Sequence, residues 1–317
     1  ALCCGVGVIL ISSVSDIFLA SIGRLITGFG ASFAFVGALY VVNHFFAPKW
    51  FTTLSGAVNM LGMLGTAVGV VWLTGLIESQ GWQEVFRGTG ILLLLVAALA
   101  WFLIPSTDPT TTNVAQSSSV ADSLRRIVLN KAIWLVAVIG LFYYVPINVF
   151  GALWGNDSLQ HLQGFSSQTA EQAVAMIFWG MAVGSVLIGF LSSHLGHRKW
   201  LIVAGSVLAN LCFLALILAP EQGLSLLAAQ LLLFGGGLFC GAQMLTFAMA
   251  KDSESPDHAG TAMAFVNMLG IGGAIIFQPF FGWLLDASNG SYLMALITIP
   301  AALLLTTVLA LAVRESR

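Results

Sequence analysis

One cation of this 317-residue chain lies within an apolar segment that is long enough to span a membrane. Arg24 is about seven residues into the apolar stretch 17–41. Because a guanidinium inside a bilayer costs at least ~2.5 kcal/mol on insertion scales, Arg24 is expected to face the protein interior or a water-filled cavity. Two interpretations follow. Arg24 either anchors an anionic substrate or takes part in proton coupling, or it is a packing arginine that pairs with a neighbouring helix.

A second set of polar side chains lies along the apolar stretch 132–154. Tyr144 and Asn148 are spaced as i and i+4, which places them on one stripe of a helix. Between them, Pro146 removes a backbone hydrogen bond and is expected to break the helix, and broken helices tend to line binding cavities. For Trp154, a position in the cavity and a position as an anchor at the membrane interface are both open.

No catalytic or metal-binding motif accompanies these residues. The sequence contains no HExxH, no phosphate-binding loop and no Ser-His-Asp spacing in a suitable context. Cys3, Cys4, Cys212 and Cys240 lie in apolar runs without CxxC spacing, which is typical of buried thiols. The sequence therefore predicts a protein that is not an enzyme and that binds no metal or other cofactor.

The composition predicts a membrane protein. Charged residues make up 8% of the chain and hydrophobic residues 58%, with a mean hydropathy of +0.97. A soluble domain of this size carries roughly a quarter charged residues. The net charge of −2 and the absence of a basic run exclude nucleic acid as a partner.

The chain divides into apolar segments that are long and unbroken, which indicates helices rather than the alternating strands of a barrel. Most hold about 20 apolar or small residues, enough to cross ~30 Å of hydrocarbon. The ten segments are 1–14, 17–41, 51–76, 86–104, 132–154, 169–193, 200–219, 222–249, 259–285 and 292–313. The predicted fold class is an all-α membrane protein with about ten transmembrane helices.

One helical unit occurs twice in the chain, which is a signature of many secondary transporters. Residues 48–78 align without gaps to residues 256–286, at an offset of 208 positions. The two copies share Pro48, Thr53, Val58, Asn59, Met60, Leu61, Gly62, Gly65 and Leu76. Asn59 and its counterpart Asn267 are interpreted mainly as residues that form hydrogen bonds between helices. Gln278 has no counterpart, since Val70 stands there, and it is a candidate for a cavity.

The same offset nominates a substrate site near mid-membrane between the two halves. It aligns Phe35 with Gln243, and Phe35 lies three helical turns from Arg24 on one stripe. Gln243 is therefore expected to face the cavity from the second half, where Tyr144 and Asn148 add hydrogen bonds and Phe35 an apolar wall. A cation opposite amide and phenol donors suits a substrate that carries a carboxylate.

The connections are short except for residues 105–131, which are rich in Pro, Thr and Ser and then become amphipathic. This linker divides the chain into an incomplete four-helix N-terminal bundle, 1–104, and a six-helix C-terminal bundle, 132–317. Since the repeat pairs the third helix of one group with the fifth of the other, the first half is expected to lack two helices. The chain is therefore predicted to be a truncated fragment that is incompetent for transport alone.

Lysines and arginines predict the orientation, because cytoplasmic loops are enriched in them. If alternate connections between helices face opposite sides of the membrane, nine lysines and arginines fall on one side, and Arg24 and Arg87 do not. The nine are Lys49, Arg125, Arg126, Lys131, Arg198, Lys199, Lys251, Arg314 and Arg317. The linker and the C-terminus are therefore expected to be cytoplasmic.

A glycine-rich turn follows the sixth apolar segment. Gly189, Ser193, Gly196, Arg198 and Lys199 form a pattern that resembles the G-x-x-x-D-x-x-G-x-R-K loop of the major facilitator superfamily, in its second-half copy. The segment Gly23-Arg24-Leu-Ile-Thr-Gly28-Phe-Gly30 resembles the fourth-helix R-x-x-x-G-x-G motif of that family. The chain departs from the pattern at Ser193, where the family has an aspartate.

The resemblance covers the whole chain as helices three to twelve of twelve. It implies a two-bundle transporter fold with a pseudo-twofold repeat, and secondary transport of a small polar metabolite by alternating access, as a symporter coupled to a proton or another cation. The loop at Gly189–Lys199 is then expected to act as a conformational latch. The stretch Gly28–Trp82 looks like bacterial carriers of organic acids, amino acids or dipeptides, which implies a multi-pass protein of the bacterial inner membrane in contact with lipid. The alternative is a transporter-like sensor or scaffold that does not transport.

Overall fold

The computed structural model describes residues 1–103 and 120–313, which are almost entirely helical and contain no strand. Helices α1 to α14 are Leu2–Ser13, Ile17–Phe45, Phe51–Gln80, Trp82–Leu103, Val120–Leu129, Lys131–Val145, Gly155–Gln163, Ser167–Leu195, Arg198–Ile217, Leu226–Cys240, Leu245–Asp252, Pro256–Ala287, Tyr292–Leu296 and Thr298–Ala312. Within the described ranges, 9 spans are long and apolar enough to cross a membrane. The predicted all-α membrane fold is confirmed, and the first predicted segment is the 12-residue helix α1.

The described residues form two compact units. Unit 1 contains residues 1–38 and 69–103, and unit 2 contains residues 39–68 and 120–313. The division predicted from the sequence, with a linker at 105–131, stays a prediction, and residues 104–119 of it lie outside the described residues. The other part of that linker, from residue 120 onward, forms helix α5 and the start of α6.

The helices of unit 1 approach one another at glycines. A Cβ on Gly23 of α2 would lie 2.9 Å from the carbonyl oxygen of Gly7 on α1. A Cβ on Gly90 of α4 would lie 3.1 Å from the carbonyl oxygen of Gly5, also on α1. Since small residues let helix backbones come this close in a membrane, α1 packs tightly against both α2 and α4.

The two copies of the repeat form two long helices of similar length, α3 and α12. Pro48 opens a 3₁₀ turn, Pro48–Trp50, that leads directly into α3, and Pro256 is the first residue of α12. Proline is favoured there because it lacks the N–H that a first helical turn leaves unpaired. The repeated proline thus lies at the start of a long helix in both copies.

Two spans of unit 2 are interrupted near their middle. Residues Pro146–Trp154 form a π-helical stretch between α6 and α7, so the break expected at Pro146 is a widening of the helix. Residues Gly241–Met244 form a 3₁₀ turn between α10 and α11, although this stretch contains no proline. Such irregular turns occur at functional sites in membrane helices.

Helix α5 is fastened to the rest of unit 2 by a buried carboxylate. The Glu254 side chain, 2% exposed, accepts a hydrogen bond from Arg126 Nε at 3.0 Å. It accepts another from Asn130 Nδ2 at 2.8 Å. Ser123 Oγ and His258 Nδ1 lie 2.8 Å apart and join α5 to the first turn of α12. Helix α5 is therefore held by contacts among five polar side chains rather than by apolar packing alone.

Candidate functional site

Hydrogen bonds between side chains and backbone join the π-helical stretch to α12. Asn148 Nδ2 donates to the carbonyl oxygen of Gly270 at 2.9 Å, and Gln278 Nε2 donates to the carbonyl oxygen of Asn148 at 2.8 Å. Trp154 Nε1 donates to the carbonyl oxygen of Gln278 at 3.1 Å. The predicted site residues Asn148 and Gln278 therefore lie together, and each uses its amide nitrogen to hold the two irregular helices in register.

Trp154 is part of this contact. Its ring stacks on Phe281 with 5.0 Å between ring centres, and a Cβ on Gly282 would lie 3.3 Å from the indole. The indole is half-buried against α12. The structure shows Trp154 in a packing contact between helices, and the choice between a cavity position and an interfacial position stays a prediction.

Gln243 is one of three residues in the described part of unit 2 with a buried side-chain polar atom that lacks a hydrogen-bond partner, the others being Asn59 and Asn210. It lies in the 3₁₀ turn between α10 and α11, and its side chain is buried, with 3% of the residue exposed. Its Oε1 atom has no hydrogen-bond partner among the described residues. A buried polar atom without a partner costs about 1–3 kcal/mol, and most such atoms in folded proteins are paired with protein, water or a ligand. The acceptor of Gln243 is thus poised to accept a hydrogen bond.

Gln243 and Asn148 meet at Gly270. A Cβ on Gly270 would lie 3.8 Å from Gln243 Nε2 and 4.0 Å from the carbonyl oxygen of Gly140. Since Gly270 also accepts the hydrogen bond of Asn148, two predicted site residues flank one glycine that carries no side chain of its own. Helices α6 and α12 and the turn at 241–244 converge at this point, which we call the Gly270 junction.

The two tyrosines of α6 have different environments. Tyr143 is fully buried, and its hydroxyl donates to the carbonyl oxygen of Phe239 at 2.8 Å, which ties α6 to α10. Tyr144 is half-buried, and its hydroxyl makes no hydrogen bond to another described residue. Tyr144 is one turn before Asn148, as its predicted role requires, whereas the anchoring contact of Tyr143 was not expected from the sequence.

Arg24 and Phe35 belong to unit 1, on helix α2. Within the described residues Arg24 is exposed and Phe35 is half-buried. The apolar side chains of unit 1 therefore do not enclose the guanidinium of Arg24. The substrate-binding roles of both residues stay predictions.

The glycine-rich turn forms a junction of helix ends in unit 2. Gly196 ends α8 with φ of +69°, a left-handed conformation that glycine adopts without strain, and its N–H bonds to Ser192 at 3.0 Å. Arg198 forms an ion pair with Asp252 at the end of α11. Lys199 Nζ donates to the carbonyl oxygens of Leu311 and Val313 at 2.7 and 2.9 Å. Both cations therefore bind the end of another helix, as the latch hypothesis requires.

The position where the family pattern has an aspartate makes a different contact. Ser193 Oγ lies 3.3 Å from Thr53 Oγ1 at the start of α3, and a Cβ on Gly189 would lie 2.8 Å from the carbonyl oxygen of Thr52. The turn thus touches α3 through a hydroxyl pair and a close backbone approach. The carboxylate that pairs with Arg198 comes instead from Asp252, which sequence analysis did not single out.

Comparisons with known proteins agree on one family. The sequence profile of the Major Facilitator Superfamily matches residues 1–160 and 136–317. The chain is 29% identical over 248 residues to the cyanate transport protein CynX of Escherichia coli, covering 77% of this chain and 59% of that protein. It is 25% identical over 325 residues to the membrane sensor protein UhpC of Escherichia coli, covering 88% of this chain and 72% of that protein.

Two further matches complete the comparison. The chain is 26% identical over 204 residues to the mouse MFS-type transporter SLC18B1, covering 61% of this chain and 40% of that protein. The crystal structure of the transporter FucP in the outward conformation matches with a TM-score of 0.70 at 16% identity, covering 98% of this chain and 81% of that one. The chain thus spans about half the length of CynX and SLC18B1, with shares of 59% and 40%.

Proposed function

Since this chain belongs to the Major Facilitator Superfamily, we propose that it acts in secondary transport and moves a small polar metabolite across a membrane by alternating access. The observation that carries this proposal is the Gly270 junction. There, Gln243 lies in one interrupted span with an unpartnered buried acceptor, and its amide approaches the same glycine of α12 to which Asn148 of the other interrupted span donates. Interrupted helices of transporters supply polar groups for a substrate. The interrupted spans supply polar backbone where a continuous helix would not.

We further propose that the substrate carries a carboxylate or a similar anionic group. Arg24 is the cation that we propose to bind this anionic group, because it lies within an apolar helix. The relative CynX is named for the transport of cyanate, a small anion, which supports an anionic substrate. Gln243 then accepts a hydrogen bond from a hydroxyl or ammonium group of the same molecule, while Asn148, Gln278 and Tyr144 shape the pocket wall.

Coupling to a proton or another cation is part of the proposal. A related fold belongs to a protein described as a fucose:proton symporter, and an ion gradient would drive uptake without ATP. The protein is placed in the bacterial inner membrane, surrounded by lipid, with its C-terminus in the cytoplasm. That orientation rests on the distribution of lysine and arginine.

Uptake by the full-length protein in proteoliposomes tests the site, with a panel of carboxylates as substrates. Gln243→Leu should weaken substrate binding by ~0.5–1.5 kcal/mol, the share of one hydrogen bond. Thermal stability should stay the same or rise, because the substitution removes a buried atom that has no partner. Arg24→Ala should abolish uptake of anionic substrates and spare neutral ones.

Asn267→Leu is the matched control, since Asn267 is a half-buried amide on α12, one turn before Gly270, whereas Asn148 rather than Asn267 donates to Gly270. It should leave substrate affinity unchanged. Equal losses of affinity in Gln243→Leu and Asn267→Leu would overturn the assignment of Gln243. A Gln243→Leu protein that loses stability together with binding would show that the residue is structural.

A sensor that binds but does not transport is the second candidate. The sequence similarity to the membrane sensor protein UhpC covers 88% of this chain, more than the 77% covered by the sequence match to CynX. The proteoliposome assay separates the two functions. Saturable binding of a ligand to the purified protein, with uptake no greater than in empty vesicles, would favour the sensor.

A further inference from the structure

Helix ends of unit 2 line a half-open cavity of about 700 Å³, apart from the Gly270 junction. It lies on the side that the charge distribution assigns to the cytoplasm. Its wall is formed by the turn before α3, the first residues of α6, the turn between α8 and α9, and the last residues of α11 and α14. The lining residues used below are Lys49, Thr52, Lys131, Ser192, Arg198 and Asp252.

The cavity wall carries more positive than negative charge. Lys49, Lys131 and Arg198 are the cations of the wall, and Asp252 is its carboxylate. Asp252 is already paired with Arg198, and among the described residues neither lysine has a carboxylate partner. Two uncompensated positive charges therefore face one concave space, which matches the charge of about −2 on a phosphate monoester at pH 7.

Neutral donors and capped helix ends add to this environment. The hydroxyls of Thr52 and Ser192 line the cavity, and the residues are 6% and 4% exposed. Helices α6 and α9 begin at the wall, and helix N-termini favour anions. The C-termini of α8, α11 and α14 also lie at the wall and would disfavour an anion. That of α14 is covered by Lys199, which donates to the carbonyl oxygens of Leu311 and Val313, and that of α11 lies beside Arg198, which pairs with Asp252.

The size of the cavity distinguishes it from a flat surface patch of lysines. Pockets for small organic ligands have volumes of about 300–1,000 Å³, and the 700 Å³ observed falls within that range. We propose that this cavity binds a phosphate monoester, distinct from the transported substrate, through Lys49, Lys131 and Arg198. Because Arg198 would exchange Asp252 for the phosphate, the ligand would loosen the contact between the start of α9 and the end of α11.

Two sources can supply a phosphate monoester, namely a soluble metabolite and the headgroup of phosphatidic acid. The full-length protein is therefore tested in neutral detergent with glycerol 3-phosphate, using glycerol and chloride as controls. It is also tested in phosphatidylcholine nanodiscs with and without phosphatidic acid. The expected result is saturable stabilisation of the protein by at least one of the two phosphate probes, and none by the controls.

The variants locate the site. Lys49→Gln with Lys131→Gln should weaken binding of the active probe by about tenfold or more, as expected when hydrogen bonds to a charged group are lost. Arg125→Gln removes one positive charge from α5 outside the cavity and should leave binding unchanged. Gln243→Leu should also bind the probe normally, which keeps this site separate from the proposed substrate site.

Three results would overturn the proposal. They are the absence of saturable binding by both phosphate probes, equal binding by the double lysine variant and the unaltered protein, and a loss of probe binding in Gln243→Leu. The last result would place the anion in the substrate site. Failure of the transport assay alone leaves this proposal standing, because its readout is binding to the cytoplasmic cavity.

Discussion

Some side chains of unit 2 form hydrogen bonds with carbonyl groups at helix ends that have no backbone partner. The last carbonyl groups of α14 have no partner within their own helix. Lys199 supplies one from α9, more than a hundred positions earlier in the sequence, by donating to Leu311 and Val313. A cation at a helix C-terminus also interacts favourably with the helix dipole. Lys199 is therefore a structural residue of the turn, and its part in a latch stays a prediction.

Lys199→Gln should lower the free energy of unfolding by about 1.5–3 kcal/mol, the range for hydrogen bonds to charged groups. Thermal unfolding of the purified protein in detergent measures the change. Arg125→Gln, an exposed cation on α5, is the control and should have almost no effect. A Lys199→Gln protein as stable as the control would mean that water replaces the lysine at the end of α14.

The sequence predicted some residues of the candidate site and missed others for a physical reason. Gln243 was found because a repeat aligns equivalent positions, yet the missing partner of its Oε1 depends on which helices surround it. Asp252 was missed because the family pattern places the carboxylate at 193, and the chain moves that charge to another helix. Periodicity identifies the face on which a residue lies, whereas its partner depends on tertiary packing.

Helices α8 and α10 show how small residues determine packing at the scale of elements. Gly180 and Gly184 lie one turn apart on α8, and one turn likewise separates Gly237 on α10 from Gly241, which directly follows α10 and begins the 3₁₀ turn. A Cβ on any of the four would collide with the backbone of the other helix. Both helices thus carry a G-x-x-x-G pair in direct contact, and van der Waals packing between backbones drives such association in a membrane.

Gly184→Ala should destabilise the protein by at least about 1–3 kcal/mol, because its Cβ would overlap the carbonyl oxygen of Leu238 and force the helices apart. Gly272→Ala on α12 is the matched control, since nothing lies within 4 Å of its Cβ. The control should be neutral or slightly stabilising, as alanine favours helices over glycine. Thermal unfolding in detergent measures both. Equal melting temperatures would show that α8 and α10 are not in backbone contact.

The start and end of a helix follow from the residue at that position, whereas the interruption of the span between α10 and α11 does not. Pro256 and Gly196 marked a helix start and a helix end because each restricts or frees the backbone at that one position. The 3₁₀ turn at Gly241–Met244 carries no comparable signal, since its glycines are equally suited to close packing. Its conformation accompanies the contact of Gly241 with α8. Such a turn is set by the neighbouring helix rather than by its own residues.

At the scale of the whole molecule, secondary transport requires helix ends that can change partners without unfolding. The ion pair between Arg198 and Asp252, which we propose as the contact through which the loop Gly189–Lys199 acts as a latch, has the properties of such a contact. Its side chains are 31% and 51% exposed, so solvent screens the pair and its share of stability is about 1 kcal/mol or less. The latch joins the turn after α8 to the end of α11, and neither residue lies at the Gly270 junction. Breaking it should therefore affect motion more than folding or substrate contact.

Arg198→Ala should slow uptake by the full-length protein several-fold, while equilibrium affinity for the substrate stays within a few-fold. Asp252→Asn should slow uptake to a similar extent, because it removes the other half of the same pair. The double variant should be no slower than either single variant, since interacting residues are not additive. Initial rates in proteoliposomes and equilibrium binding in detergent provide the two measurements. A large loss of affinity with an unchanged rate, or rate effects that simply multiply in the double variant, would show that the ion pair does not act as a latch.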